Sequence, residues 1–171
     1  SQTQAADRAD AVYEALLSRA GERWVQPRKE RTARILAFLD DPQRTYRVVH
    51  ITGTNGKTST ARMIDSLLRA HDLRTGLFTS PHLERFTERI MIDGEPIADE
   101  AVADAWDEIE PFVDIVDAEL EAAGDAPLTF FELLTVLAFV AVADAPIDVL
   151  VLEVGMGGEW DSTNTADGDV A

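Results

Sequence analysis

Apolar residues recur at helical spacing in two stretches near the start of the chain. Val12, Ala15 and Leu16 do so between Asp7 and Arg19, and Ile35, Leu36, Phe38 and Leu39 between Lys29 and Leu39. Gly21 supplies a stop for the first helix, and the turn Asp41-Pro42 ends the second. The period then changes. Tyr46–Thr52 is short and rich in Val and Ile, the composition of a buried strand, and it runs directly into Gly53-Thr54-Asn55-Gly56-Lys57-Thr58-Ser59. Beyond it, Ala61, Ile64, Leu67 and Leu68 predict an amphipathic helix. Thr75–Thr79 predicts another strand. The polar segment Ser80–Glu88 leads to Arg89–Ile92, and Asp93-Gly94 turns the chain into Glu95-Pro96-Ile97 as a hairpin. Asp99–Ala123 reads as a long acidic helix bent at Pro111, and Phe130–Ala143 as a helix opened by Thr129. Asp148–Val154 is an apolar strand except for Glu153, and Asp169-Val170-Ala171 has the pattern of a strand that is just beginning.

Strands alternating with helices predict an α/β fold with parallel pairing. The expected architecture is a layered domain of the P-loop NTPase kind, its mostly parallel central sheet flanked by helices and incomplete at the C-terminus. Residues 1–45 are expected to form a helical segment packing on a second domain over residues 46–171. With 171 residues and a 46% apolar share, the chain can bury a real core.

Charge narrows the partners. Fifteen Lys plus Arg against 32 Asp plus Glu give a net charge of -17, a field that repels nucleic acid and anionic membrane. It also repels free ATP, so any nucleotide site must bring its own local cations. The absence of cysteine excludes disulfides, thiolate metal sites and a cysteine nucleophile. Ser1–Asp10 is polar and acidic, unlike a signal peptide, and no stretch reaches the ~20 apolar residues of a membrane span. The chain reads as soluble and cytoplasmic.

The segment Gly53–Ser59 has the chemistry of a phosphate loop. Glycines at 53 and 56 let the backbone turn tightly and aim several N–H groups into one concavity. The helix that follows adds the positive end of its dipole. Lys57 brings a point charge to the β- and γ-phosphates, and the Thr58 hydroxyl can face Mg²⁺. The loop is a shortened variant, Gly-x-x-Gly-Lys-Thr, because Ile51 stands near where the usual pattern has its first glycine. The bland alternative is a glycine turn with an exposed lysine.

Glu153 closes the run Val149-Leu150-Val151-Leu152, where an unpaired carboxylate is expensive to bury. Ligands gather at the carboxyl ends of strands in open α/β sheets, so Glu153 is placed to hold Mg²⁺ or orient water. Gly155-Met156-Gly157-Gly158 behind it allows close backbone approach. Ser80, after the strand ending at Thr79, could be another oxygen ligand for a hard cation. His82 reads more readily as structural. Thr129-x-x-Glu132 fits a capping box, which competes with a substrate contact for Glu132. Trp24, Trp106 and Trp160 read as packing residues.

Several separate segments together resemble the folylpolyglutamate synthase and dihydrofolate synthase family, relatives of the Mur ligases. They are His50–Ser59, Thr79-Ser80-Pro81-His82-Leu83, Glu88-Arg89-Ile90 with Asp93-Gly94, Phe130-Phe131-Glu132, and Leu152–Gly158 with Asp161-Ser162-Thr163-Asn164. They span about Arg28–Asn164, and Ser80-Pro81-His82-Leu83 points to the folate branch. The resemblance implies an ATP-dependent, ADP-forming ligase that joins L-glutamate to dihydropteroate or a reduced folate through an acyl phosphate. It implies Gly53, Thr54, Asn55, Gly56, Lys57, Thr58 and Ser59 around the nucleotide, with Lys57 and Glu153 catalytic. Thr58, Ser80 and Glu153 would lie on Mg²⁺, and Phe130, Phe131, Glu132 and Ser162 near the substrate. A monomer is also implied.

One departure is Glu159, where the family usually has arginine after Gly-Gly. The family's second-metal histidine, its carbamylated lysine and its C-terminal Rossmann-like domain fall beyond Ala171, so these residues alone are expected to be inactive or nearly so. Two other readings stay open: a Mur-type ligase of cell-wall synthesis, and a non-catalytic nucleotide-binding module.

Overall fold

The computed structural model describes residues 1–19, 29–51, 56–79 and 89–153, apart from the side chain of Lys57. Five α-helices are described: α1 (Gln2–Leu17), α2 (Lys29–Phe38), α3 (Lys57–Ala70), α4 (Asp99–Ala122) and α5 (Phe130–Asp144). The strands are β1 (Arg47–Ile51), β2 (Thr75–Phe78), β3 (Ile90–Ile92), β4 (Glu95–Pro96) and β5 (Val149–Glu153). They form one sheet in the order β1-β5-β2-β3-β4. The β1, β5 and β2 ladders are parallel, whereas β3 and β4 add an antiparallel edge through the Asp93-Gly94 hairpin.

Most elements fall where the sequence pattern puts them. The first helix is longer than its apolar spacing predicts, beginning at Gln2 rather than Asp7. Ser1 caps it, its side chain accepting from the Gln4 N–H, and Gln and Ala propagate a helix without an apolar stripe. α4 continues through Pro111 as one helix. The expected stop at Gly21 and the strand beginning at Asp169 lie outside the described residues.

Period-two alternation assigns each strand residue to a face. Val48, Phe78, Ile90, Leu150 and Leu152 join α5, α4, α1 and α2 in the larger core. Leu77 and Val151 face α3 and pack with Ala61, Ile64 and Leu68. Ala9, Val12, Leu16, Ile35 and Leu36 of the first two helices belong to the same larger core. α5 is buried from Phe131 to Val142, which is why its sequence is apolar on all sides.

The direction of α5 matters for the site. Tyr46, just before β1, donates from its hydroxyl to the Phe139 carbonyl at 3.2 Å. Near the start of β2, a Cβ at Gly76 would lie 3.1 Å from side-chain methyls of Val142, Ile147 and Leu150, so glycine lets α5 and the turn after it pack closely here. The C-terminal half of α5 therefore lies at the edge where the parallel strands begin. Its first turn, Phe130–Glu132, lies at the edge where they finish.

Where α4 meets the end of α5, Glu108 shares a hydrogen bond with Asp144, which with burial and the charges of Asp144 and Asp104 raises its carboxyl to about 7. The folded state thus holds a proton that the unfolded chain has lost, so stability falls as pH rises from about 4.5 to about 7. Glu108→Gln mimics the protonated form. It is expected to raise the melting temperature at pH 8 and to leave it nearly unchanged at pH 4. An equal shift at both pH values would show that the pair does not titrate in this window.

Candidate functional site

Glu153 ends β5 in parallel register with Ile51 of β1. Alternation along β5 puts Val149, Val151 and Glu153 on the α3 side of the sheet. The chain leaves β1 at Ile51 and re-enters the described structure at Gly56, which sits at φ 71° immediately before α3. A Cβ at Gly56 would meet nothing within 4 Å among the described residues, so the backbone angle rather than space selects glycine here.

α3 begins at Lys57, and the N–H groups of Lys57, Thr58 and Ser59 are first-turn donors without acceptors in the helix. Ser59 is exposed. Thr58 points back to the sheet, where its Oγ1 lies 2.9 Å from each oxygen of Glu153. One hydroxyl proton serves one of these oxygens at a time. Glu153 is only 5% exposed, so a largely desolvated carboxylate and a hydroxyl converge at the helix terminus.

Three hard oxygens with residual acceptor capacity fit Mg²⁺, which usually takes one or two protein ligands and fills its shell with water and phosphate oxygens. No group of three or more His, Cys, Asp or Glu could hold a metal among the described residues. Gly53, Thr54, Asn55, Ser80, His82, Glu159 and Ser162 lie outside the described residues.

The structure brings a second set of expected residues to the same sheet edge. Thr129 caps α5, its hydroxyl accepting from the Glu132 N–H at 3.2 Å, and the Thr129 N–H donates to Glu132 Oε1 at 3.0 Å. The capping box is formed as its spacing predicts. Glu132 is 1% exposed and is also ion-paired with Arg31 of α2 at 3.1 Å. That geometry favours the capping role for Glu132 over direct ligand contact. Phe131 is buried, and Phe130 is half-buried against the core.

The sequence pattern did not single out Arg31, Arg19 or Asp117. Arg31 reaches Glu132, the Pro127 carbonyl and Asp125, the last at 3.5 Å. Arg19 donates to the Leu128 carbonyl at 3.0 Å and pairs with Asp117 at 2.8 Å, and Asp117 accepts from the Leu128 N–H at 2.8 Å. A signal was present. Arg31 falls with Thr32, Ile35 and Leu36 on the buried stripe of α2, where a cation implies a buried partner.

Comparison with known proteins places the chain in a family. The sequence profile of the Mur ligase middle domain matches residues 51–171. The dihydrofolate synthase/folylpolyglutamate synthase of Mycobacterium tuberculosis is 47% identical over 157 residues, covering 88% of this chain and 32% of that protein. The chain belongs to the folylpolyglutamate synthase family of the Mur ligase superfamily.

Solved structures of the family superpose on the fold. The M. tuberculosis folylpolyglutamate synthase complexed with ADP and AMPPCP gives a TM-score of 0.83 at 43% identity, over 98% of this chain and 35% of that one. The bifunctional folylpolyglutamate synthase/dihydrofolate synthase of Yersinia pestis, complexed with AMPPNP and Mn ion, gives 0.76 at 32% identity, over 93% of this chain and 36% of that one. The chain thus spans about a third of the length of these relatives. No helix among the described residues is long and apolar enough to cross a membrane.

Proposed function

We propose that this chain is the ATP-binding part of an ADP-forming amide ligase that joins L-glutamate to a folate-type acid, either dihydropteroate or a reduced folate. The observation that carries the reading is the convergence of Thr58 and Glu153 at the start of α3. The nucleotide complexes of the related synthases support it.

The reaction sets an electrostatic problem. A substrate carboxylate oxygen must attack the γ-phosphorus of ATP, forming an acyl phosphate and releasing ADP. The glutamate amine then attacks the acyl carbon, and phosphate leaves. The first step brings anion to anion inside a protein of strongly negative net charge. Lys57 and the loop and first-turn N–H groups supply fixed positive potential at the transferring phosphoryl group. Thr58 and Glu153 would hold Mg²⁺, with Ser80 as a third residue. When bound, that ion neutralises charge on the phosphate oxygens. Phe130 offers an aromatic face for a pterin ring at the same sheet edge. Phe131, Glu132 and Ser162 belong to the same proposed substrate side, Glu132 through the architecture of its segment.

The test is ADP release by the full-length protein with Mg-ATP, L-glutamate and either dihydropteroate or tetrahydrofolate, with Lys57→Ala as control. Release should require both glutamate and a pterin and should fall by about a hundredfold or more in the variant. Turnover with a UDP-linked cell-wall precursor, and none with either pterin, would move the protein to the Mur-type reading.

A further inference from the structure

We propose that Arg31, seconded by Arg19, is a positioning residue that sets the first turn of α5 and with it the seat of Phe130 for an aromatic substrate ring. The identity of that ring rests on the function proposed above.

The segment Asp125–Glu132 joins α4 to the start of α5 at the sheet edge that carries Glu153. Such a connection has few backbone partners of its own, so side chains from elsewhere must fix it. Two arginines do this from one side. Arg31 takes the Pro127 carbonyl and Glu132 Oε1 through Nη2, and approaches Asp125 through Nη1. Arg19 takes the adjacent Leu128 carbonyl, while Asp117 answers it and holds the Leu128 N–H. Successive carbonyls of one short segment are thus gripped by two forks from α2 and the end of α1.

The grip is transmitted to Phe130 through the capping box. Glu132 Oε1 receives both Arg31 and the Thr129 N–H, so the oxygen that fixes the entry angle of α5 is the one the guanidinium locates. Phe130 is the first residue of that helix. It is half-buried, with the buried run from Phe131 to Val142 immediately behind it, so it is where the first turn of α5 meets the outside.

Stability alone explains this arrangement poorly. Buried ion pairs are often no better than apolar residues of the same volume, whereas a planar fork with several fixed acceptors specifies direction. Lysine keeps the charge and loses the fork. A role in holding geometry therefore predicts that Arg31→Lys fails to substitute, although it preserves the net charge.

The experiment uses the full-length protein, with Arg31→Lys and Arg31→Met beside the wild type. Amide hydrogen exchange across Leu128–Leu133 should speed up in both variants, while Val136–Val142 in the middle of α5 stays protected. In steady state, Arg31→Lys should raise KM for the pterin substrate by about tenfold or more, with KM for ATP and kcat changed by less than about threefold. Unaltered exchange at Leu128–Leu133 would overturn the positioning role. Faster exchange with an unaltered pterin KM would overturn its link to the ring. Parallel losses in both KM values and in kcat would reduce Arg31 to a general stabiliser. If Arg31→Met does not fold, Arg31→Lys carries each comparison. If the wild type shows no pterin-dependent turnover, the proposed function fails, whereas the exchange result still decides what Arg31 holds.

Discussion

Glu153→Gln in the full-length protein is expected to lower Mg-ATP-dependent turnover by about a thousandfold, corresponding to about 4 kcal/mol of lost transition-state stabilisation. The substitution keeps the shape of the side chain and its hydrogen bond to Thr58, so the end of β5 should stay in place. What changes is charge. An amide oxygen is a far weaker ligand for a hard cation than a carboxylate, and the neighbouring hydroxyl cannot compensate. Glutamine keeps the volume of this buried side chain, so the metal-free variant should still fold. The two effects separate the readings. Thermal melting with and without Mg²⁺ and a non-hydrolysable nucleotide should show the wild type gaining stability on loading and Glu153→Gln gaining little. Turnover close to the wild type would remove Glu153 from the reaction and leave it as a strand-end partner of Thr58.

Phe139→Ala should cost about 3–5 kcal/mol, a large share of the roughly 5–15 kcal/mol that holds an ordinary domain together. Phe139 is fully buried in the middle of α5, within the core that includes Val48, Phe78, Leu150 and Leu152 of the sheet. Deleting the ring leaves a cavity that a helix buried on all sides cannot easily collapse. The Phe139 carbonyl is also the acceptor for Tyr46, so relaxation of the helix would disturb the entrance to β1 as well. Amide exchange of β5 should accelerate by about two to nearly four decades where it proceeds through global opening. An acceleration below about tenfold would mean that the cavity refills.

Local chemistry was the legible part of this molecule. The strand–glycine–helix order placed Lys57 and Thr58 at a helix start, and a lone acid at the end of an apolar run placed Glu153 at a strand finish. Both depend on residues adjacent in sequence. The Thr129–Glu132 box was legible for the same reason. What the sequence pattern did not carry is long-range. Nothing in β1, β2 or β5 says which lies between the other two, yet the order β1-β5-β2 is what brings Glu153 beside the helix that follows β1. The Arg31 network joins α2 to a segment about a hundred residues later, and a single sequence marks it only by a cation on an apolar stripe. Likewise, the helix from Gln2 has no apolar stripe in its first turn, and its cap alone announces it.

The position of β5 has a consequence for how the molecule assembles. β1 and β2 are made early, but among the described residues each has its parallel partner only in β5, which arrives after two long helices. Closing so long an excursion costs chain entropy before any sheet hydrogen bond returns it. Until that strand docks, the helix after β1 has no carboxylate opposite it, and two strand edges stand open on a growing chain. Completion of the sheet and the arrival of Glu153 opposite Thr58 are thus one event. A half-folded chain therefore lacks the Thr58–Glu153 contact until the sheet closes.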